Sequence, residues 1–469
     1  MNKAARVFLT VLTISGLAIA AAQAFTVDPP EQNRSSFVRL RGPGFGAIPG
    51  KVTIGGLPAA IAHWDDSLIE CYVPEAAALG KAPVAVKPGQ RGLRPIKARM
   101  TVLTREALTG RFKWRVKLPD QYVPARPIVA PDGTIYAMGN FGHIYAVNPD
   151  GSLRWVVSPA GGISGSLGIL QNGNLVVGGG GGVQSLSAVD GAVVWTFPIT
   201  TPLTAGPSVG PDGNVYAVDN SRWSQAVIGA FILSPTGQLI WSGGKYYLDG
   251  AFTAQEVKFG ANNAYFWSAY SVTGDPDVLG GLNALHLGGG LFWRVNDGVG
   301  IFPDAIPNGN VALFRPSNIE MRDANSGVIW SQNLTQFGGQ PQVEAAVASD
   351  GRTYFTTTAA KFHAISPTGQ VLYSKTIGGL TSNLTVRPDA NQLVLQYQPN
   401  FGIPAQIQGY DKDANLQWSE TLPVEFGMTI VCYYLMKYDA TGNSLYFGTA
   451  GPYTAQFEAQ CYLYAVDTQ

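Results

Sequence analysis

Charge is what this sequence has least of. Asp, Glu, Lys and Arg together make up 13% of its 469 residues, about half the usual share of a globular chain. The 31 basic and 31 acidic side chains cancel. Capture of nucleic acid or of an anionic lipid surface needs a basic excess, so neither is expected as a partner. Cysteine is nearly absent. Cys71, Cys432 and Cys461 allow one bridge at most, which excludes a disulfide-built scaffold. The four histidines, His63, His143, His286 and His363, are scattered and lack metal-ligand spacing, so no metal site is expected. Beyond the first two dozen residues no apolar run is long enough to span a bilayer.

Glycine, by contrast, is abundant at 57 residues, and aromatics reach 11%. Many turns between aromatic-rich stretches suit an all-β chain. The opening "MNKAARVFLTVLTISGLAIAAAQA" places Lys3 and Arg6 before an apolar stretch that ends in Ala22-Gln23-Ala24. This pattern predicts a Sec signal peptide over residues 1–24, cut before Phe25, and export to the periplasm, the cell surface or the medium.

The chain is too long for one ordinary core, and two domains are expected. After a polar lead-in, residues 35–103 alternate apolar and polar side chains, as at Val52/Ile54 and Ile69/Cys71/Val73, with Gly-Pro-Gly and Gly-Gly turns between. Cys71 reads as a buried thiol, and Asp65 and Asp66 as turn caps. The segments "GPGFG", "KVTIGG" and "AHWDDSLIECYVP" resemble an IPT/TIG domain, a small immunoglobulin-like sandwich. That resemblance implies a spacer, dimerising or adhesive module.

From Leu108 onward the sequence repeats. An apolar strand, a tight turn such as Pro131-Asp132-Gly133, a second strand, a variable loop, a third strand and a Gly turn precede a fourth strand ending on an aromatic. Those endings are Trp114, Trp155, Trp195, Trp241, Trp293, Trp330, Tyr373 and Trp418, at intervals of roughly 40 residues. Four short strands per unit predict a β-propeller over residues 108–469. The last unit, ending in "YLYAVD", lacks its fourth strand, and "LTGRFKW" (residues 108–114) lacks the first three. Pairing the two closes the ring, giving an Ig-like sandwich followed by an eight-bladed propeller with no open edge at the seam. The tryptophans read as docking residues between neighbouring blades.

Endings such as "AVNPDGSLRW" and "AVDGAVVW" resemble the pyrroloquinoline-quinone-type propeller repeat. One branch of that family is dehydrogenases holding the quinone (PQQ) and calcium at the axis. The other is compact, non-catalytic propellers that bind protein partners. The bare repeat and the lack of a Cys-Cys pair favour the second branch, with no cofactor. Innermost-strand carboxylates for the first are Glu256, Asp304 and Glu344. "GGGGG" (Gly178 to Gly182) precedes a strand rather than a helix, so it reads as a hairpin loop and not a phosphate cradle.

The loops between second and third strands lengthen in later units and carry Trp223, Trp267, Tyr270, Tyr397, Phe401, Tyr453 and Phe457. Aromatics held on one face of a rigid disc suit binding of a protein or glycan in the cell envelope. The expected function is an exported binding or scaffold protein, the alternatives being a PQQ-dependent periplasmic dehydrogenase and a glycan-binding adhesive protein. A Cys432–Cys461 bridge near this face is also expected.

Overall fold

The computed structural model of the chain describes residues 25–159, 166–179, 181–199, 203–219, 230–243, 256–268, 281–295, 304–306, 308–314, 317–339, 341, 345–377, 379–398, 404–423, 436–449 and 461–469. Among these there is no α-helix, and hence none long and apolar enough to cross a membrane.

Two sheets form the N-terminal part. Thr26–Asp28, Phe37–Arg41, Leu68–Tyr72 and Ile61–Trp64 make one; Glu31–Asn33, Ile96–Leu103, Gly80–Lys87, Lys51–Ile54 and Leu57–Pro58 make the other. Alternation decides their inner faces. Val38, Leu40, Ile69 and Cys71 point inward to meet Val52, Ile54, Val84 and Val102. The turn before Leu68 is held by Asp65, whose Oδ1 accepts the amides of Ser67 and Leu68 at 2.7 Å. The polar stretch before residue 35 is not only a lead-in: its two short strands pair with Phe37–Arg41 and Ile96–Leu103. Three-residue edge strands carry no hydrophobic run and leave little trace in a sequence.

Eight four-stranded antiparallel sheets follow. Blades 1 to 7 span residues 128–157, 167–197, 203–243, 258–295, 304–333, 346–376 and 380–421. Blade 8 is composite: Lys437–Tyr438, Ser444–Gly448 and Cys461–Asp467 are completed by Phe112–Leu118 from the other end of the chain. Trp114 stands opposite Ala465 and Leu118 opposite Cys461, so the predicted closure is present. Middle strands such as Ile135–Met138 and Ile144–Val147 are buried at every position. A neighbouring blade covers each face, which is why they read as unbroken apolar runs. Outer strands such as Val371–Thr376 alternate instead, with one face against water.

Each outer strand is fastened to the next blade around its aromatic. The indole N–H of Trp114 donates to Pro149 O at 2.9 Å, Trp155 to Ala188 O at 3.0 Å, Trp195 to Pro235 O at 3.1 Å and Trp293 to Ala324 O at 2.7 Å. A turn glycine lies under the ring of Trp114, Trp155, Trp195, Trp241 and Trp330. A Cβ on Gly237 would sit 2.6 Å from Trp195, and one on Gly289 2.4 Å from Trp241. At the seam the equivalent turn is replaced by two separate stretches of chain. There the Arg111 guanidinium lies 5.1 Å from the Trp418 ring centroid instead.

Candidate functional site

Of the seven aromatics expected on the loop face, Trp223, Tyr270, Phe401, Tyr453 and Phe457 lie outside the described residues. The other two are on strands rather than loops. Trp267 belongs to Asn263–Ser268 and pairs with Leu282. Tyr397 belongs to Gln392–Gln398, stands between Thr381 and Gln406, and is half-buried. The hairpins of blades 4 and 7 continue pairing past the point where loop composition begins. Cys461 is buried, and Cys432, its expected bridge partner, lies outside the described residues.

On that face the structure builds a cleft between the sandwich and blade 1. Phe37, Arg39, Glu70, Tyr72 and His63 share the outer face of one sandwich sheet. Phe37 and Tyr72 are buried against the ring, in a cluster with Trp114, Val116 and Tyr145. The Tyr72 hydroxyl donates to Lys117 O at 2.9 Å. Arg39 and Glu70, paired at 3.0 Å, and His63 continue this face into a cavity of about 630 Å³ whose far wall is Pro119, Phe141 and His143. Phe141, at the tip of the loop between the second and third strands of blade 1, is 53% exposed.

The cleft is braced by a buried polar network. Asp120, fully buried, accepts from the Phe141 amide at 2.6 Å and the Tyr145 hydroxyl at 2.5 Å, and contacts His143 Nδ1 at 2.9 Å. The other nitrogen of His143 lies 3.2 Å from Ala62 O, on the sandwich. Both neighbours accept, so a doubly protonated imidazole satisfies both. Burial alone would lower the His143 pKa, but the hydrogen bond and charge of Asp120 outweigh it and raise the value. Burial pushes the Tyr72 and Tyr145 hydroxyls well up, so both stay neutral donors. Sequence reading missed this network, since its members are 23 and 81 residues apart.

A second group of charges meets at the ring axis. Arg126, at the start of blade 1, reaches Glu256 of blade 4 at 2.9 Å. Lys258 contacts the same carboxylate at 2.7 Å and Asp304 of blade 5 at 3.9 Å. Asp304 also accepts the Val347 amide at 2.8 Å. Burial opposes ionisation of Glu256, and the two cations overcome it, holding the carboxyl far below its ordinary range. Glu344 lies outside the described residues. Carboxylates already held by Arg126 and Lys258 do not fit a calcium and quinone site. Among the described residues no group of three or more His, Cys, Asp or Glu converges as metal ligands.

A closed β-propeller with a β-sandwich fastened to blades 8 and 1 is the class these features define. Residues 98–256 and 316–450 match the family described as outer membrane protein assembly factor BamB, and the chain belongs to that family. Its fold is similar to that in the crystal structure of BamB from Moraxella catarrhalis, with a TM-score of 0.51 at 15% identity, over 77% of this chain and 97% of that one. No curated protein matches.

Proposed function

We propose that the chain is an exported, non-catalytic scaffold of the cell envelope that holds a protein partner on the face carrying the loops between second and third strands. Membership of the BamB family supports the envelope setting and the binding role. The N-terminal pattern of residues 1–24 supports Sec export, and residues 35–103 are an IPT/TIG module added to the propeller. The observation that carries the reading is the cleft. Phe141 is presented at its mouth by a loop whose amide is fixed to fully buried Asp120, so an aromatic anchor is held rigidly rather than left to fold back.

Site-specific photocrosslinking in cells tests this. A photoreactive residue in place of Phe141 is expected to trap a component of the outer-membrane protein assembly machinery. The same group at Val193, at the exposed start of the outer strand of blade 2, is expected to trap none. Crosslinks of equal yield at both positions, or at neither, overturn the assignment of the face.

A further inference from the structure

Among the five charges at the axis, Lys437 is the one with no side-chain partner in contact among the described residues. Glu256 is already held by Arg126 and Lys258, and Asp304 by Lys258 and the Val347 amide. Among the described residues these are three cations and two carboxylates. Lys437 opens the innermost strand of blade 8 and is exposed to solvent, yet it is ringed by protein. Burial lowers its pKa, and Arg126 and Lys258 lower it further, against the pull of Glu256 and Asp304.

Next to it lies a cavity of about 360 Å³, between blades 7, 8 and 1. Lys437, Arg126, Thr385, Val386 and Tyr438 are among the residues that line it. Asp439 also lines it, but its carboxylate accepts from Thr441 Oγ1 at 2.8 Å and from the Asn443 amide at 3.0 Å in its own turn. Neutral donors do not cancel its charge, so the lining carries two cations, Lys437 and Arg126, against one carboxylate, an excess of one positive charge. A cation held beside other cations gains by pairing with an anion. A lysine ammonium is a compact partner for phosphate or carboxylate, and the volume falls in the range of small-ligand sites.

We propose that this axial cavity binds a small oxyanion, a phosphate or a short dicarboxylate, with Lys437 as its principal ligand and Arg126 contributing field from beside it. The site is separate from the cleft and independent of which protein docks there. Isothermal titration of the full chain with inorganic phosphate and with succinate, at low salt and neutral pH, tests it. Saturable binding of one anion per chain is expected for at least one of the two. Lys437→Met should weaken it tenfold or more, and Lys437→Arg should retain it. Lys437 is exposed in the channel, so the Met variant should melt no lower than wild type in anion-free buffer. Only the wild type and the Arg variant should gain melting temperature when the anion is added. No saturable binding of either anion, or an affinity unchanged in Lys437→Met, overturns the proposal.

Discussion

Two histidines at nearly the same place in their repeats behave oppositely, and the reason is local. His143 faces Asp120 and a carbonyl, which favours its cation. His363, fully buried in blade 6, has as its hydrogen-bond partners among the described residues the hydroxyls of Thr357 at 3.2 Å and Ser374 at 2.8 Å, with Phe355 stacked at 4.9 Å. Burial, aided by the nearby Lys361, pushes its pKa down to about 4. An unfolded histidine titrates near 6.5. His363 therefore costs stability as pH falls from about 6.5 to about 4, where the unfolded chain binds the proton and the folded one does not, by up to about 3 kcal/mol. His143 works in the other direction: its contribution is complete below about 6.5 and fades as pH rises through its raised pKa. Urea unfolding of His363→Gln at pH 7.5 and 4.5 should show a smaller acid loss than wild type. An identical loss in both proteins would rule out this histidine as the titrating group.

At the scale of one blade, the recurring unit is an outer-strand aromatic seated on the next blade's turn, with a glycine under the ring at the junctions of Trp114, Trp155, Trp195, Trp241 and Trp330. Both sides of that contact recur at fixed spacing, and this is why the ring was legible in the sequence. Much of the candidate site was not. Trp267 and Tyr397 look like loop residues because their surroundings are rich in Gly, Pro and Asn, yet backbone pairing carries both into strands. Phe37 and Tyr72 fall on the outward face by alternation, and nothing local says that a second sheet system will cover them. The seat itself can be measured by comparing two glycines. Gly173 and Gly237 both have positive φ, 86° and 81°, but a Cβ at Gly173 meets nothing within 4 Å while one at Gly237 strikes Trp195 at 2.6 Å. Gly173→Ala should cost only the left-handed backbone, about 1 kcal/mol. Gly237→Ala must also displace the indole, adding about 1–3 kcal/mol. Equal losses in denaturant titrations would mean that the tryptophan is not held by the turn.

At the scale of the whole molecule, the two chain regions that meet in blade 8 also carry the sandwich. Phe112–Leu118 pairs with the last strand, and its Trp114, Val116 and Leu118 pack in the cluster that buries Phe37 and Tyr72. Closure of the ring and docking of the sandwich therefore draw on one core, which couples the two parts energetically. Calorimetry of the full chain should accordingly show a single cooperative transition rather than one for each part. Tyr72→Ala removes a fully buried ring and the hydroxyl bonded to Lys117 O, a loss of about 3–5 kcal/mol for a large aromatic truncated in a core. That change lies on the outer face of its sheet, away from the sandwich's own core of Val38, Ile69 and Cys71. It should leave each part folded while uncoupling them, splitting the transition in two and lowering crosslinking at Phe141, whose loop is braced across the same junction. Two transitions already present in the wild type would show that the sandwich rides on the ring as an independent module, and the cleft would then lose its rigidity.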